Sequence, residues 1–128
     1  KKITSSDAAG NDQFGFDVSI HGDNIAVGAH IKASYTGAVY VFSRNQGGTN
    51  NWGQVKKITA SDAGGAKAFG IKVELKNDRL VVGANEHFLW TGSGYGPVGS
   101  GSAYVFYQNQ GGTNNWGQVK KVTASFYH

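Results

Sequence analysis

The sequence YVFSRNQGGTNNWGQVKKITAS, residues 40–61, occurs again as YVFYQNQGGTNNWGQVKKVTAS at residues 104–125, with 19 of the 22 positions identical. A supersecondary unit that recurs almost unchanged buries its apolar surface against neighbouring copies of itself. The chain is therefore a repeat protein, and its fold depends on how the copies pack.

The register of the repeat follows from its lysine pairs. Lys1, Lys56 and Lys120 each begin the same KK(I/V)T(A/S)S segment, 55 and then 64 residues apart. The repeat thus begins three times, and the nine extra residues of the second unit lie between Ala84 and Gly101.

The first strand of each unit alternates apolar and polar residues, which is the period of a half-buried β-strand. Its apolar face would consist of Phe14, Phe16, Val18 and Ile20 in one unit and of Phe69, Ile71, Val73 and Leu75 in the other. Gly22-Asp23 and Asn77-Asp78 follow, where a two-residue hairpin turn needs positive φ. Each first strand is therefore predicted to form a hairpin with the second strand.

The third strand, predicted at 38–43 and at 103–107, is apolar at nearly every position, which indicates a sheet covered on both faces. A fourth strand follows the glycine-containing loop NQGGTNN and begins near Trp52 or Trp116. Each unit is thus a four-stranded antiparallel meander. The predicted fold class is all-β, with tandem blades of a β-propeller at 14–61 and 69–125. A sandwich of two such sheets is the alternative, but it would leave the outer face of each third strand in water.

Composition excludes several classes of protein. The chain has no cysteine, so disulfides, thiol nucleophiles and Cys-ligated metals are absent. Half of its twelve basic residues are the three Lys-Lys pairs, which suit exposed strands that resist edge pairing better than a nucleic-acid surface. No apolar run is long enough to span a membrane, and no signal-like segment begins the sequence. We expect either a processed product or a window of a longer chain.

The segments FGFDVSIHGDNIAVGA and FGIKVELKNDRLVVGA, each followed by an AVYVF-like strand, resemble the FG-GAP repeat. This is the blade unit of integrin α-chain propellers and of many bacterial secreted and surface proteins. The resemblance covers about two blades of an integrin-like β-propeller, and it implies an extracellular or cell-surface location and a role in adhesion or ligand binding.

Two departures from the family pattern affect these expectations. His30 and Asn85 stand where the family has proline. The calcium loop of many members is replaced by the tight turns at 22–23 and 77–78, which cannot supply three or more oxygen ligands. We therefore expect no bound calcium, no other metal and no cofactor.

No motif predicts an enzyme. The four histidines lack zinc-site spacing, and no serine lies in a G-x-S-x-G elbow. Asp7 and Asp62 recur just after a strand, where an Asx-turn is the expected role.

The segment 85–99 is the one place where the second unit has no counterpart in the first. An aromatic platform and polar neighbours on this glycine-rich loop predict a ligand site, formed by Asn85, Glu86, His87, Trp90 and Tyr95. The alternatives are that the loop packs on a neighbouring molecule or covers its own blade. Trp52 and Trp116 are secondary candidates for carbohydrate binding, although a purely structural role in each hairpin is favoured.

Residues 1–6 are predicted to be an orphan outer strand of a preceding or neighbouring blade. If copies assemble, Lys1, Lys2, Ile3 and Thr4 would pair with a sheet of another molecule, giving a ring or a filament. Two functions follow: a non-enzymatic extracellular module that binds a glycan or a matrix protein, and a structural protein that self-assembles into homo-oligomers.

Overall fold

The computed structural model of the chain describes residues 1–63, 67–85, 88–90, 95–97 and 101–124. Within these ranges, ten strands and one short helical turn are present. The elements are β1 (Asp17–His21), β2 (Asn24–Ala29), α1 (Lys32–Tyr35), β3 (Ala38–Ser43), β4 (Gly53–Ile58), β5 (Lys72–Lys76), β6 (Arg79–Ala84), β7 (Phe88–Trp90), β8 (Tyr95–Pro97), β9 (Ser102–Tyr107) and β10 (Gly117–Thr123). The all-β fold class is confirmed.

The strands form two four-stranded antiparallel sheets and one separate hairpin. Blade 1 has the order β1-β2-β3-β4, and blade 2 has the order β5-β6-β9-β10 read from its first strand. Each sheet is thus an up-and-down meander, as the sequence predicts. Strands β7 and β8 pair with each other between β6 and β9 in the chain.

The predicted hairpin turns are present in both blades. The pairs His21↔Asn24 and Lys76↔Arg79 close β1-β2 and β5-β6 around two-residue turns. Gly22 has φ 57° and Asn77 has φ 54°, the left-handed conformation that such a turn requires at its first position.

The two blades pack face to face, with β5 of blade 2 lying against β1 and β2 of blade 1. Their main core combines both sheets, and its members include Ala26, Val39 and Val41 from blade 1 and Val73, Leu75, Leu80, Val82 and Phe106 from blade 2. A second cluster covers the opposite face of β3, so both faces of this strand are buried. The prediction for the third strand is confirmed for β3, whereas Val105 of β9 is only half-buried.

In each blade an aromatic residue that precedes the first strand packs on the third strand. The Phe14 ring contacts those of Tyr40 and Phe42 at centroid distances of 5.5 and 6.0 Å. Phe69 makes the same two edge-on contacts in blade 2. These rings lie outside β1 and β5, which begin later than predicted because Gly15 and Gly70, with φ 94° and 95°, interrupt the extended backbone.

The prediction that residues 1–6 are the outer strand of a preceding or neighbouring blade stays a prediction, because the described strands do not include that blade. Residues 1–6 belong to none of the described sheets. They follow blade 1 instead: the Ser6 N–H donates to Gln54 Oε1 at 3.2 Å, and Ile3 packs on the second cluster. Within the described ranges there is no helix with the length and apolar character needed to cross a membrane.

Candidate functional site

The two blades meet at an interface where the backbone of one contacts the backbone of the other. The N–H groups of Ala68 and Phe69 donate to the carbonyl oxygens of Tyr35 and Thr36, at 2.6 and 3.4 Å. Phe69 also forms a parallel bridge with Gly37. The connection between β2 and β3 of blade 1 therefore holds the start of the first strand of blade 2.

Glycine is required at this contact. A Cβ atom on Gly28 would lie 2.0 Å from the carbonyl oxygen of Gly70, and one on Gly70 would lie 2.6 Å from that of Ala38. The Val-Gly-Ala segment of blade 1 and the Phe-Gly segment of blade 2 thus approach more closely than any side chain would allow. These two motifs position the blades against each other.

Three polar side chains of β1 accept hydrogen bonds from the backbone of blade 2. They are arranged at alternating positions, so they share the face of β1 that is directed at blade 2. The Val73 N–H donates to Asp17 Oδ2 at 2.8 Å, the Leu75 N–H to Ser19 Oγ at 2.9 Å, and the Asn77 N–H to His21 Nδ1 at 3.0 Å. We call these three side chains the acceptor ladder; they satisfy backbone donors along the free edge of β5.

An aspartate joins the start of each unit to its third and fourth strands. In blade 1, the Tyr40 hydroxyl donates to Asp7 Oδ1 and Lys57 Nζ donates to Asp7 Oδ2, both at 2.6 Å. In blade 2, Asp62 accepts from the Tyr104 hydroxyl and from Lys121. Both carboxylates therefore bond to side chains that are distant in the sequence, which goes beyond the Asx-turn role expected from the sequence.

Charge and burial shift the pKa values in these two clusters. The lysine hydrogen bond, and then the tyrosine hydrogen bond, lower the pKa of Asp7 and of Asp62 to about 2. Burial, followed by the bond to Asp62, raises the pKa of Tyr104 to about 12. Each carboxylate is thus ionised under ordinary conditions and is held between a cation and a hydroxyl, which is a structural arrangement.

The candidate ligand residues fall only partly within the described ranges. Asn85 is half-buried, and its Oδ1 has no hydrogen-bond partner in the described part of the chain. Trp90 and Tyr95 lie on β7 and β8 and are directly paired in the backbone register. Glu86 and His87 lie outside the described residues. The structure therefore places Trp90 opposite Tyr95, and both belong to a hairpin separate from the blade sheet.

The secondary candidates Trp52 and Trp116 occupy equivalent positions in different surroundings. Trp116 is 1% exposed and belongs to the core between the blades with Ile58 and Ala60, so it has no face available to a ligand. Trp52 is half-buried. Trp116 thus contributes to the core between the blades, whereas Trp52 does not belong to it.

The candidate assembly residues contact their own chain. Lys1 Nζ donates to Asn51 Oδ1 at 3.4 Å, which repeats the contact of Lys56 Nζ with Asn115 Oδ1 at 2.9 Å. Lys1, Lys2, Ile3 and Thr4 line a crevice of about 230 Å³ beside the Trp52 hairpin. Residues 1–6 thus contact blade 1 in the same way that their repeat counterparts, residues 56–61, contact blade 2.

The described residues include no group of three or more His, Asp or Glu side chains placed to hold a metal ion. His21 acts in the acceptor ladder, and the His30 ring packs on Phe16 at a centroid distance of 4.2 Å, where burial lowers its pKa. The acceptor ladder and the close glycine contacts instead bind a β-sheet, that of blade 2.

Sequence reasoning missed the acceptor ladder and the tyrosines of the aspartate clusters. Asp17, Ser19 and His21 are the polar residues of the alternating first strand, and the alternation alone predicts only that they share its polar face. The available signal was the difference between this face and its copy, where Lys72, Glu74 and Lys76 replace them. The recurrence of Tyr40 and Tyr104 with the aspartates was the signal for the clusters.

Comparison with known families agrees with these features. The model of the FG-GAP repeat matches residues 1–42 and 52–106, which is more than half of the chain. Both matches contain a Phe-Gly and a Val-Gly-Ala segment, the two motifs that meet at the interface. No curated protein matches the chain.

Proposed function

Because the chain belongs to the FG-GAP repeat family, we propose that it is a non-catalytic module of an extracellular or cell-surface β-propeller. Its role is adhesion, through a glycan or an extracellular protein bound at the insertion of blade 2. The ligand site comprises Trp90 and Tyr95 on the hairpin, with Asn85, Glu86 and His87 before it supplying polar contacts.

The observation that carries this proposal is the separate β7-β8 hairpin. It lies between β6 and β9, whereas blade 1 has only the short turn α1 in the same connection. The hairpin pairs with itself and not with the blade, so the blade fold does not require it. Its paired Trp90 and Tyr95 combine large apolar surface with polar tips, the residue types that bind sugar rings and protein surfaces.

The proposal involves no metal, no cofactor and no nucleic acid. The turns Gly22-Asp23 and Asn77-Asp78 each close a hairpin with two residues, which is too few for a calcium site of the family type. Self-assembly through strand pairing by Lys1, Lys2, Ile3 and Thr4 is the weaker alternative, because this segment already lies on blade 1 of its own chain.

Binding to a glycan array and to a panel of extracellular matrix proteins tests the proposal. We expect the wild-type chain to bind at least one of these ligands, and Trp90→Ala or Tyr95→Ala to weaken that binding about tenfold or more. Tyr35→Ala is the matched control, because Tyr35 is an exposed aromatic residue in the equivalent connection of blade 1. Unchanged binding by both hairpin variants, or equal losses in the control, would contradict the proposal.

A further inference from the structure

Blade 1 has an exposed apolar face that its repeat partner buries. Phe16, Val18 and Ile20 are 55%, 59% and 61% exposed. At the positions equivalent to the last two, Val73 and Leu75 of blade 2 are 7% and 5% exposed, because blade 1 covers them. The interface inside the chain thus shows what this face is built to receive: the sheet of another blade.

The free face of blade 1 (Phe16, Val18 and Ile20) borders a groove of about 470 Å³, which Val18 and Ile20 line together with Ile3, Phe14, Ile25 and Val27. In the repeat register, Val18, Ile20 and Gly22 correspond to Val73, Leu75 and Asn77, the residues whose N–H groups donate to the acceptor ladder. N–H groups alternate in direction along an antiparallel strand, so the N–H groups of Val18, Ile20 and Gly22 are directed at the free edge of β1. A blade that docks here must therefore offer acceptors as well as apolar surface.

Blade 2 offers an acceptor at only one of these three positions on its outer face, Glu74. Lys72, Glu74 and Lys76 stand where blade 1 has its acceptor ladder, and a lysine ammonium group has donors only. Two of the three donors of a docked blade would therefore lose their partners. All three of these side chains are exposed.

The edge of this outer face is also bulkier than its counterpart. In blade 1, Asn24 and Ser43 are small and bond to each other at 2.8 Å. The equivalent residues in blade 2 are Arg79 and Tyr107, and the guanidinium group lies 5.2 Å from the centre of the tyrosine ring. A sheet could not approach the outer face of blade 2 as closely as blade 2 approaches blade 1.

We propose that the side chains at the acceptor-ladder positions select which blade docks on which. The free face of blade 1 receives a further blade of this repeat that carries acceptors at the positions of Asp17, Ser19 and His21. The outer face of blade 2, with lysine at two of these positions, is not that partner. Two copies of the wild-type chain therefore do not join head to tail in the manner of the internal interface.

Grafting the acceptor ladder onto blade 2 tests this selection. The graft carries Lys72→Asp, Glu74→Ser and Lys76→His on a background of Arg79→Asn and Tyr107→Ser. The matched control has the same background with alanine at positions 72, 74 and 76, so the two variants differ only in their acceptors. Self-association of both and of the wild type is measured by sedimentation velocity, and circular dichroism verifies the fold of each.

We expect the graft to associate at concentrations about tenfold or more below those of the control, because three hydrogen bonds are gained. Adding Ile20→Glu, an exposed substitution on the free face of blade 1, should return the graft to a monomer. Two results would overturn the proposal: equal association of the graft and the control, or wild-type head-to-tail association that Ile20→Glu abolishes. Neither result depends on the ligand proposed for the β7-β8 hairpin.

Discussion

The closest approach of the two blades predicts a large effect for the substitution Gly28→Ala. The new Cβ would lie 2.0 Å from the carbonyl oxygen of Gly70 and 3.0 Å from its carbonyl carbon, and both are backbone atoms that cannot rotate away. An ordinary contact requires at least 3.4 Å, so the blades must separate locally by more than about 1 Å. Separation on this scale disturbs the close packing of the main core beside the contact.

The magnitude follows from two opposing effects. Overpacking in a well-packed core costs about 1 to 3 kcal/mol, and this site is at the upper end because neither partner has a side chain that can move. Replacing glycine in a strand by alanine stabilises the folded state by about 0.5 to 1 kcal/mol. We therefore expect Gly28→Ala to lower the free energy of unfolding by about 2 kcal/mol.

Gly83→Ala is the matched control, because Gly83 is the same motif position in blade 2. A Cβ there would meet its nearest neighbour, Lys72 Cβ, at 3.4 Å, an ordinary contact. This variant should be as stable as the wild type or up to about 1 kcal/mol more stable. Urea unfolding followed by circular dichroism measures both. Free energies of unfolding that agree within about 0.5 kcal/mol would refute the role assigned to Gly28 in blade contact.

Two further predictions concern the repeated clusters. Because the pKa values of Asp7 and Asp62 are about 2 in the folded state and 3.8 ordinarily, their stabilisation is complete above pH 4 and is lost as the pH falls through 2. Each carboxylate is about two-fifths exposed, so we expect each to contribute about 1 kcal/mol or less to the free energy of unfolding. The melting temperatures of Asp7→Asn and Asp62→Asn should therefore fall less than that of the wild type as the pH is lowered. An unchanged pH dependence of the melting temperature would contradict this. Trp116→Ala should lower the free energy of unfolding by about 3 to 5 kcal/mol, and Trp52→Ala by about half as much or less, as measured by urea unfolding. Equal losses of stability in the two variants would show that blade 1 does not cover Trp116.

The alternation of apolar and polar residues and the residue types at the turns determine most of the fold, and both depend only on residues that are close in the sequence. Strict alternation along the first strands, together with Gly22-Asp23 and Asn77-Asp78 at the turns, predicts the hairpins, and the structure confirms them. Strand β3 spans the predicted residues 38–43. These features were predictable because a turn conformation and the two faces of a strand depend only on neighbouring residues.

Contacts between blades were less predictable because they join residues that are far apart in the sequence. The alternation placed Asp17, Ser19 and His21 on a polar face, and such a face is ordinarily solvated. Only the position of blade 2 turns these side chains into hydrogen-bond acceptors for its backbone. Residues 1–6 show the converse. Their sequence matches that of residues 56–61, which begin in β4, yet they form no strand, and the sheet that they would join is not among the described strands.

Identical residues also occupy different environments, which limits any inference from the repeat alone. Trp52 and Trp116 lie in the same NQGGTNNWGQVKK sequence, yet one is half-buried and the other is in the core. The difference comes from the neighbour: a complete blade packs beside Trp116, whereas residues 1–6 alone lie beside Trp52. In a repeat protein, stability is therefore shared between the unit and the interface, and docking a blade onto the free face of blade 1 should bury Trp52 as blade 1 buries Trp116.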